Sequence, residues 1–234
     1  MSNRAVYLKE LGIDIWVERD VVRLDPTIKQ AASSAAPTPD WEELARQVSS
    51  CTKCDLHSGR TQTVFGTGNR GAELMIIGEA PGAEEDKRGE PFVGRAGQLL
   101  NSMLLALGYK REDVFIANIL KCRPPNNRDP KAEEVDACAN YLSAQIALLK
   151  PKLIVAVGRV AAQNLLGVDT PIGKMRGKPY FVTDASDGTE IPVIVTYHPA
   201  YLLRSPLEKR KAWDDLLLAR NSLEDCLTDT AEAV

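Results

Sequence analysis

Three apolar runs of strand length, separated by segments of helical periodicity, constrain the fold of this chain most. The runs are ELMIIG (73–78), DVFIANIL (113–120) and KLIVAVG (152–158), and the segments 94–108 and 129–150 between them repeat apolar residues at helical spacing. Strands that are apolar throughout are buried on both faces, and helices must cover those faces. The pattern predicts a three-layer α/β/α domain with a parallel sheet, to which PYFVT and IPVIVTYHP add later strands.

The composition indicates one globular domain with a short addition at each end. The 234 residues are 44% hydrophobic and carry a net charge of −3. No run of about 18 apolar residues and no N-terminal secretory signal is present, so we expect a cytoplasmic protein. The predicted divisions are an amphipathic segment 1–27, an Ala/Ser/Pro linker 28–40, the domain 41–222 and an acidic tail 223–234.

Polar residues follow three of the predicted strands, at the edge of the sheet where such folds bind ligands. Glu79 lies in GEAPG, Asn118 near the end of the second strand, and His198 after the last strand. Phe92 is available as a flat wall. Each residue alone has an ordinary structural explanation, since such residues are more often core groups, caps or solvated side chains. Their convergence at one edge predicts a pocket for a nucleobase.

The motifs themselves resemble a known family. GEAPGAEEDKRGEPFVGRAGQLL, NILKCRPPNNRDP and HPAYLLR are similar to stretches of the family-4 uracil-DNA glycosylases, the iron–sulfur type, and the resemblance covers residues 41–218. It implies a central four-stranded parallel sheet. It also implies a monofunctional hydrolase that cleaves the N-glycosidic bond of uracil in DNA and leaves an abasic site, in base excision repair.

The resemblance also implies roles for single residues. The catalytic positions are Glu79, Ala80, Glu85, Asn118 and His198. Glu79 and Ala80 would line the pocket and help to place the attacking water. Phe92 would stack on the flipped uracil, and Asn118 would bind the N3–H and O4 edge that cytosine lacks. His198 would stabilise negative charge on the leaving uracil at O2.

Four of the five cysteines form a second group of candidate functional residues. Cys51 and Cys54 make a C-x-x-C pair, Cys122 lies in the loop after the second strand, and Cys138 lies sixteen residues later. From spacing alone, buried thiols, a zinc site and an iron–sulfur site all remain open. The resemblance implies that these four hold a structural [4Fe–4S] cluster, that the chemistry needs no divalent metal, and that Cys226 is a spare.

Basic residues near the same loops are candidates for binding DNA. The predicted contacts are Arg123, Arg176 and Arg204, with Tyr201 and Leu202 as wedges that enter the gap left by the flipped base. Lys121 is a further candidate in the same loops. The loop 119–130 contains no histidine and no insertion, so the covalent DNA capture of a related branch is not expected. We expect a monomer associated with the bacterial nucleoid.

The segment before the linker suggests a partner. Tyr7, Leu11 and Trp16 belong to an apolar stripe that is too short to be buried alone. It either packs on the domain, remains without structure, or docks on a partner through a flexible tether. YLKELGIDIWVER resembles the N-terminal tail of the psi subunit of bacterial clamp loaders. This resemblance implies a rival function, a replisome interaction protein that carries a glycosylase-fold domain.

Overall fold

The computed structural model describes residues 39–232, with side chains described as far as residue 227. These residues form a six-stranded sheet of order β1-β3-β2-β4-β6-β5. The strands are β1 Thr67–Gly68, β2 Leu74–Gly78, β3 Phe115–Asn118, β4 Leu153–Val157, β5 Pro179–Thr183 and β6 Glu190–Thr196. The predicted segment 1–27 and most of the linker lie outside the described residues.

The centre of the sheet is the predicted four-stranded parallel unit. β2 pairs in parallel with β3 and β4, and β4 pairs in parallel with β6. At each edge an antiparallel strand is added, β1 beside β3 and β5 beside β6. The turn between Thr183 and Glu190 reverses the chain, so β5 and β6 form a hairpin rather than two parallel strands. The α/β/α prediction is confirmed, with six strands instead of four.

Helices cover both faces of the sheet. They are α1 Trp41–Ser49, α2 Leu56–Gly59, α3 Ala83–Arg88, α4 Arg95–Ala106, α5 Ala132–Leu149, α6 Arg159–Leu166, α7 Ile172–Met175, α8 Pro199–Arg204 and α9 Lys209–Glu232. Short 3-10 turns lie at Arg111–Asp113, Pro125–Asn127 and Pro206–Glu208. In the part of the chain that the structure describes, no helix is long and apolar enough to cross a membrane.

Alternate residues of β2 supply the two halves of the core. Met75 and Ile77 pack in one cluster with residues of α5 and α6, whereas Leu74 and Ile76 pack in another with residues of α4 and α9. This period-2 alternation, with every position of β2 buried, is why the strand reads as a continuous apolar run. The last helix passes through the predicted boundary at residue 222, and Leu223 is buried in the second cluster.

Local hydrogen bonds fix the starts of two helices. Asp40 caps α1, since its Oδ1 accepts a hydrogen bond from the Glu43 N–H at 2.7 Å. α5 begins at Ala132 with Lys131 as its cap, so Pro130 lies just before the helix. The Lys131 N–H donates to the Glu134 carboxylate at 2.9 Å, which fixes this start.

Candidate active site

The pocket is built around a glycine at the end of β2. A Cβ on Gly78 would lie 2.4 Å from Asn118 Oδ1 and 2.6 Å from Phe92 Cζ. The amide and the aromatic ring therefore reach the same small volume, which only glycine leaves open. Parallel pairing of Gly78 with Asn118 in the sheet register brings the two residues side by side.

The Phe92 ring is held by the loop that follows α3. Phe92 has a φ of 53°, an uncommon conformation for a bulky side chain. Glu85 Oε1 accepts hydrogen bonds from the N–H groups of Val93 at 2.9 Å and Gly94 at 3.0 Å. Arg111 donates to the Phe92 carbonyl oxygen at 3.3 Å. Glu85, which the sequence assigned to catalysis, therefore binds the backbone of the loop that presents the ring.

Asn118 is a buried amide with an unused acceptor. The residue is 2% exposed, and its Oδ1 has no hydrogen-bond partner among the described residues. Its carbonyl oxygen accepts a hydrogen bond from Lys121 Nζ at 2.9 Å. Because a buried polar atom without a partner is costly, an unpaired amide oxygen facing a pocket indicates a place where a ligand donates.

His198 begins the helix α8 beside this amide and ring. Its ring stacks on Phe92 with centroids 5.7 Å apart and an interplanar angle of 30°. Nδ1 accepts a hydrogen bond from the Ala200 N–H at 3.1 Å, so Nε2 carries the proton in the neutral ring. Burial, helped by the charge of Arg204, lowers the pKa of His198 to about 4. The imidazole is therefore a neutral donor at physiological pH.

Glu79 lies one residue after Gly78, at the mouth of the pocket. Burial raises the pKa of Glu79 to about 7, with a further contribution from Asp129, while Arg159 opposes the shift. Arg159 is paired with Asp129 at 2.5 Å. The Glu79 carbonyl oxygen accepts from the Leu120 N–H at 3.0 Å, which ties this loop to the end of β3. The next residue, Ala80, is partly buried against the cysteine-containing cluster.

The four predicted ligand cysteines line one cavity next to this loop. Cys51, Cys54, Cys122 and Cys138 all contribute to its wall. Arg60 Nη1 donates to Cys122 Sγ at 3.1 Å, and burial raises the pKa of Cys138 to about 11. Within the described residues, no group of three or more His, Cys, Asp or Glu side chains is arranged to hold a metal ion. Cys226 lies apart from this cavity, on α9.

The predicted DNA contacts fall into different environments. Arg204 and Tyr201 are exposed on α8. Arg123 is partly buried, and its Nε donates to Asn127 at 2.8 Å. Arg176 is paired with the fully buried Asp215 at 3.0 Å, so its guanidinium already has a carboxylate partner.

Leu202 and Lys121, which the sequence predicted to contact DNA, are buried. Leu202 is 1% exposed and packs with Met103 and Leu216, so the prediction that it is a wedge is wrong. The next residue, Leu203, is exposed instead, because successive helical residues point about 100° apart. Lys121 is 1% exposed and cannot contact DNA phosphates.

Sequence reasoning also missed the residues that support the pocket. A Cβ on Gly97 would lie 1.7 Å from the Phe92 carbonyl oxygen, and Gly158 has a φ of +102° beside His198. Asp86 is buried, and both of its oxygens accept from the Thr61 N–H, at 3.0 and 3.1 Å. The available signal was a glycine at or directly after the end of each of two buried strands, Gly78 and Gly158, where a side chain would meet the site residues.

Comparisons with known proteins identify the family of this chain. The family model of the uracil DNA glycosylase superfamily matches residues 65–217. A protein of Archaeoglobus fulgidus named type-4 uracil-DNA glycosylase is 50% identical over 70% of this chain and 84% of its own length. A type-4 uracil-DNA glycosylase of Pyrobaculum aerophilum is 45% identical over 76% of this chain and 92% of its own length. A type-5 uracil-DNA glycosylase of the same organism is 31% identical over 58% of this chain. The chain therefore belongs to the uracil DNA glycosylase superfamily, within its type-4 family.

Proposed function

We propose that this protein hydrolyses the N-glycosidic bond of uracil in DNA, releasing uracil and leaving an abasic site. One observation carries the proposal: among the described residues the buried Asn118 Oδ1 has no hydrogen-bond partner, and it lies with the Phe92 ring around Gly78, where His198 stacks on that ring. An amide supplies one acceptor and one donor, which match the N3–H and O4 of uracil. With the amide held in this orientation, cytosine leaves both amide groups unmatched, because it has no N3–H and carries an amino group in place of O4.

His198 supplies the electrostatic part of the reaction. When the bond between C1′ and N1 breaks, the electron pair leaves with uracil, and negative charge gathers on its ring oxygens. The neutral imidazole, with Nδ1 occupied by the Ala200 N–H, has its Nε2–H free to donate to O2. A preorganised donor at a developing oxyanion is worth roughly 10²–10³ in rate.

Glu79 serves the sugar side of the reaction. Its carboxylate stabilises the cation-like deoxyribose and accepts a hydrogen bond from the water that adds to C1′. Because burial raises its pKa to about 7, the ionised form is only partly populated at neutral pH. Ala80 belongs to the same loop as Glu79. Glu85 acts from outside the pocket, since its carboxylate is bonded to the Val93 and Gly94 N–H groups.

The cysteine cavity contains the donor set of the [4Fe–4S] cluster that the family resemblance implies. Four thiols around one cavity are the donor set that such clusters use, and Arg60 already donates to Cys122 Sγ. Cys51, Cys54, Cys122 and Cys138 would hold the cluster. When bound, the cluster supplies a structural cross-link between the segment before β2 and the loop after β3. The hydrolysis itself needs neither electron transfer nor a divalent metal.

DNA binding uses the exposed face of α8 and the turn that follows it. Arg204 is exposed there to meet a phosphate, and Tyr201 and Leu203 are the exposed ring and alkyl groups beside it. Leu207 is 92% exposed in the next turn. Such apolar groups can enter the gap in the duplex that a flipped base leaves. We assign the wedge to Leu203 in place of Leu202, with Arg123 as a second phosphate contact.

The proposed role of the N-terminal segment is to bring the enzyme to a partner protein. We propose that residues 1–27 dock on the ATPase subunit of a clamp loader, and that the linker 28–40 separates them from a monomeric glycosylase domain near the nucleoid. The apolar stripe that includes Trp16 supports this assignment, as does the start of α1 just after the linker. A peptide of residues 1–27 should bind that subunit and lose affinity when Trp16 is replaced by Ala. Failure of the peptide to bind would refute the docking.

The deciding assay uses an oligonucleotide with a single uracil, followed by alkali to cleave abasic sites. The purified protein should release uracil in the presence of EDTA, leave thymine and cytosine controls intact, and cut the strand only after alkali. The Asn118→Ala variant is the matched control and should be nearly inactive. Strand cleavage without alkali would indicate a lyase, and absence of uracil release from any uracil-containing oligonucleotide would refute the proposal.

A further inference from the structure

A lysine buried between the pocket and the cysteine cavity carries the inference. Lys121 is 1% exposed, and its Nζ donates to the Asn118 carbonyl oxygen at 2.9 Å and to Gln145 Oε1 at 2.6 Å. Gln145 is fully buried and donates in turn to the Phe65 carbonyl oxygen at 2.9 Å. Both oxygens that bind this ammonium group are therefore neutral.

No carboxylate compensates this buried charge among the described residues. None of the ion pairs in the described part of the chain includes Lys121. The four buried carboxylates of the described residues are bonded elsewhere: Asp86 to Thr61, Glu134 to Arg128, Asp184 to Ser186 and Asp215 to Arg176. A buried cation without an opposite charge is strongly unfavourable, so the chain retains this lysine next to some other source of negative charge.

The cysteine cavity is the place where such charge arises. Lys121 lines that cavity, and its own N–H donates to Cys138 Sγ at 3.3 Å. Four thiolates that hold an iron–sulfur cluster keep a net negative charge on the whole assembly. Arg60 lines the same cavity and donates to a second sulfur atom, Cys122 Sγ, at 3.1 Å. The cluster-bound form therefore supplies the counter-charge that the described residues lack.

The same ammonium group holds the end of the strand that recognises the base. Asn118 is the last residue of β3, and the chain then turns so that Lys121 reaches back to the Asn118 carbonyl oxygen. The next two N–H groups, of Ile119 and Leu120, donate to Gly78 and Glu79. The Lys121 bond thus closes a short loop whose opposite side is the uracil-binding amide.

We propose that Lys121 is a positioning residue for Asn118 and the electrostatic partner of the cysteine-held cluster. Its charge is stabilised by the cluster, and its hydrogen bond fixes the backbone of the residue that selects uracil. The proposal has an Asn118 half, the positioning of the uracil-binding amide, and an electrostatic half, the partnership with the cluster. The Asn118 half rests on the proposed function. The proposal gives the cluster a part in base recognition although the cluster takes no part in the hydrolysis.

Three variants separate the charge of Lys121 from its hydrogen bond. Lys121→Met keeps an unbranched side chain of similar length and removes both the positive charge and the hydrogen bond. Gln145→Glu keeps the bond to Asn118 and supplies a carboxylate that neutralises the ammonium group. Lys53→Met is the matched control: Lys53 also lines the cysteine cavity and stacks over Tyr141, but it is exposed, so water screens its charge and its removal should change the potential far less. Each protein is prepared without oxygen and measured for iron content, cluster reduction potential and inhibition by free uracil.

The expected results differ between the variants. Removing a positive charge beside a cluster disfavours its reduction, so the potential should become more negative in Lys121→Met and in Gln145→Glu. The inhibition constant for uracil should rise about tenfold in Lys121→Met, because a charge-assisted hydrogen bond is lost. It should stay within about twofold of wild type in Gln145→Glu and Lys53→Met, which keep that bond.

Several outcomes would overturn the proposal. A wild-type potential and a wild-type uracil inhibition constant in Lys121→Met would refute both halves, as would equal effects of Lys53→Met. If Lys121→Met does not fold, an unchanged potential in Gln145→Glu refutes the electrostatic half. Wild-type protein that releases no uracil refutes the proposed function and the Asn118 half with it, whereas the potentials still decide the electrostatic half. Zinc in place of iron would refute the cluster partnership.

Discussion

Replacing Glu85 tests whether this carboxylate takes part in the reaction or holds the pocket. Its Oε1 accepts from two N–H groups, of Val93 and Gly94, directly after the strained Phe92. A hydrogen bond to a charged group contributes about 1.5–3 kcal/mol. The φ of Phe92 stores a further cost, of order 1–3 kcal/mol, that these bonds must offset. In Glu85→Ala the loop is therefore free to relax, and the ring leaves its place beside His198.

The magnitude follows from the two bonds. Since water replaces part of the lost interaction at these half-buried groups, we expect a net loss of about 2–3 kcal/mol in base capture, or about 30- to 150-fold. Glu85→Gln keeps a neutral acceptor oxygen and should lose about five- to tenfold. Glu84→Gln is the matched control on the same helix, because its carboxylate is exposed and, among the described residues, is paired with the exposed Lys87 at 3.5 Å.

The assay is single-turnover release of uracil, with free uracil as a competing ligand. In Glu85→Ala the inhibition constant for free uracil should rise by the factor given above, and the cleavage rate should fall with it. The Glu84→Gln control should match the wild type in both. A large fall in rate at an unchanged inhibition constant would refute the reasoning, because Glu85 would then act on the reaction and not on the loop.

Three further predictions concern the pocket, its pH dependence and the cysteines. Asn118→Ala and His198→Ala should each slow uracil release roughly 10²–10³-fold; wild-type rates in both would exclude them from the site. Because burial raises the pKa of Glu79 to about 7, the wild-type rate should increase as pH rises through 7, and Glu79→Gln should lose that increase in a pH–rate profile; a flat wild-type profile would contradict this role. Cys51→Ser should lose the broad absorbance near ~400 nm and most soluble yield, whereas Cys226→Ser should keep both; equal losses would contradict the assignment of ligands.

The stability of the folded protein should respond to His198 in the acid range. The pKa of His198 is lowered to about 4 in the fold, below its ordinary value of 6.5, so the folded state binds fewer protons than the unfolded chain. Its contribution to stability is complete above pH 6.5 and is lost as pH falls toward 4. Thermal denaturation of wild type and His198→Ala between pH 7 and 4 measures this, and parallel curves for the two would contradict it.

The sequence was most informative about features that follow from the order of strands and loops along the chain. Continuous apolar strands predicted the parallel sheet, and Glu79, Asn118 and His198 lie at or just after the carboxyl ends of those strands, at one edge. The family motif could not reveal which way each side chain of α8 points. Leu202 and Leu203 are chemically identical neighbours, and only the packing against α4 and α9 decides that the first is buried. Lys121 reads as a surface cation because its neutral partners lie 3 and 24 positions away.

The pocket has a consequence for the time course of folding. Gly78, Asn118, Gly158 and His198 each stand at or just after the end of a different parallel strand, about forty residues apart along the chain. Such contacts form only after long stretches of chain have closed into loops, and parallel sheets with distant partners fold slowly. During refolding from denaturant, helical signal should therefore return before uracil release does. The recovery of catalytic activity during refolding therefore reports the pairing of β6 with β4, since the site does not exist until these two strands have paired.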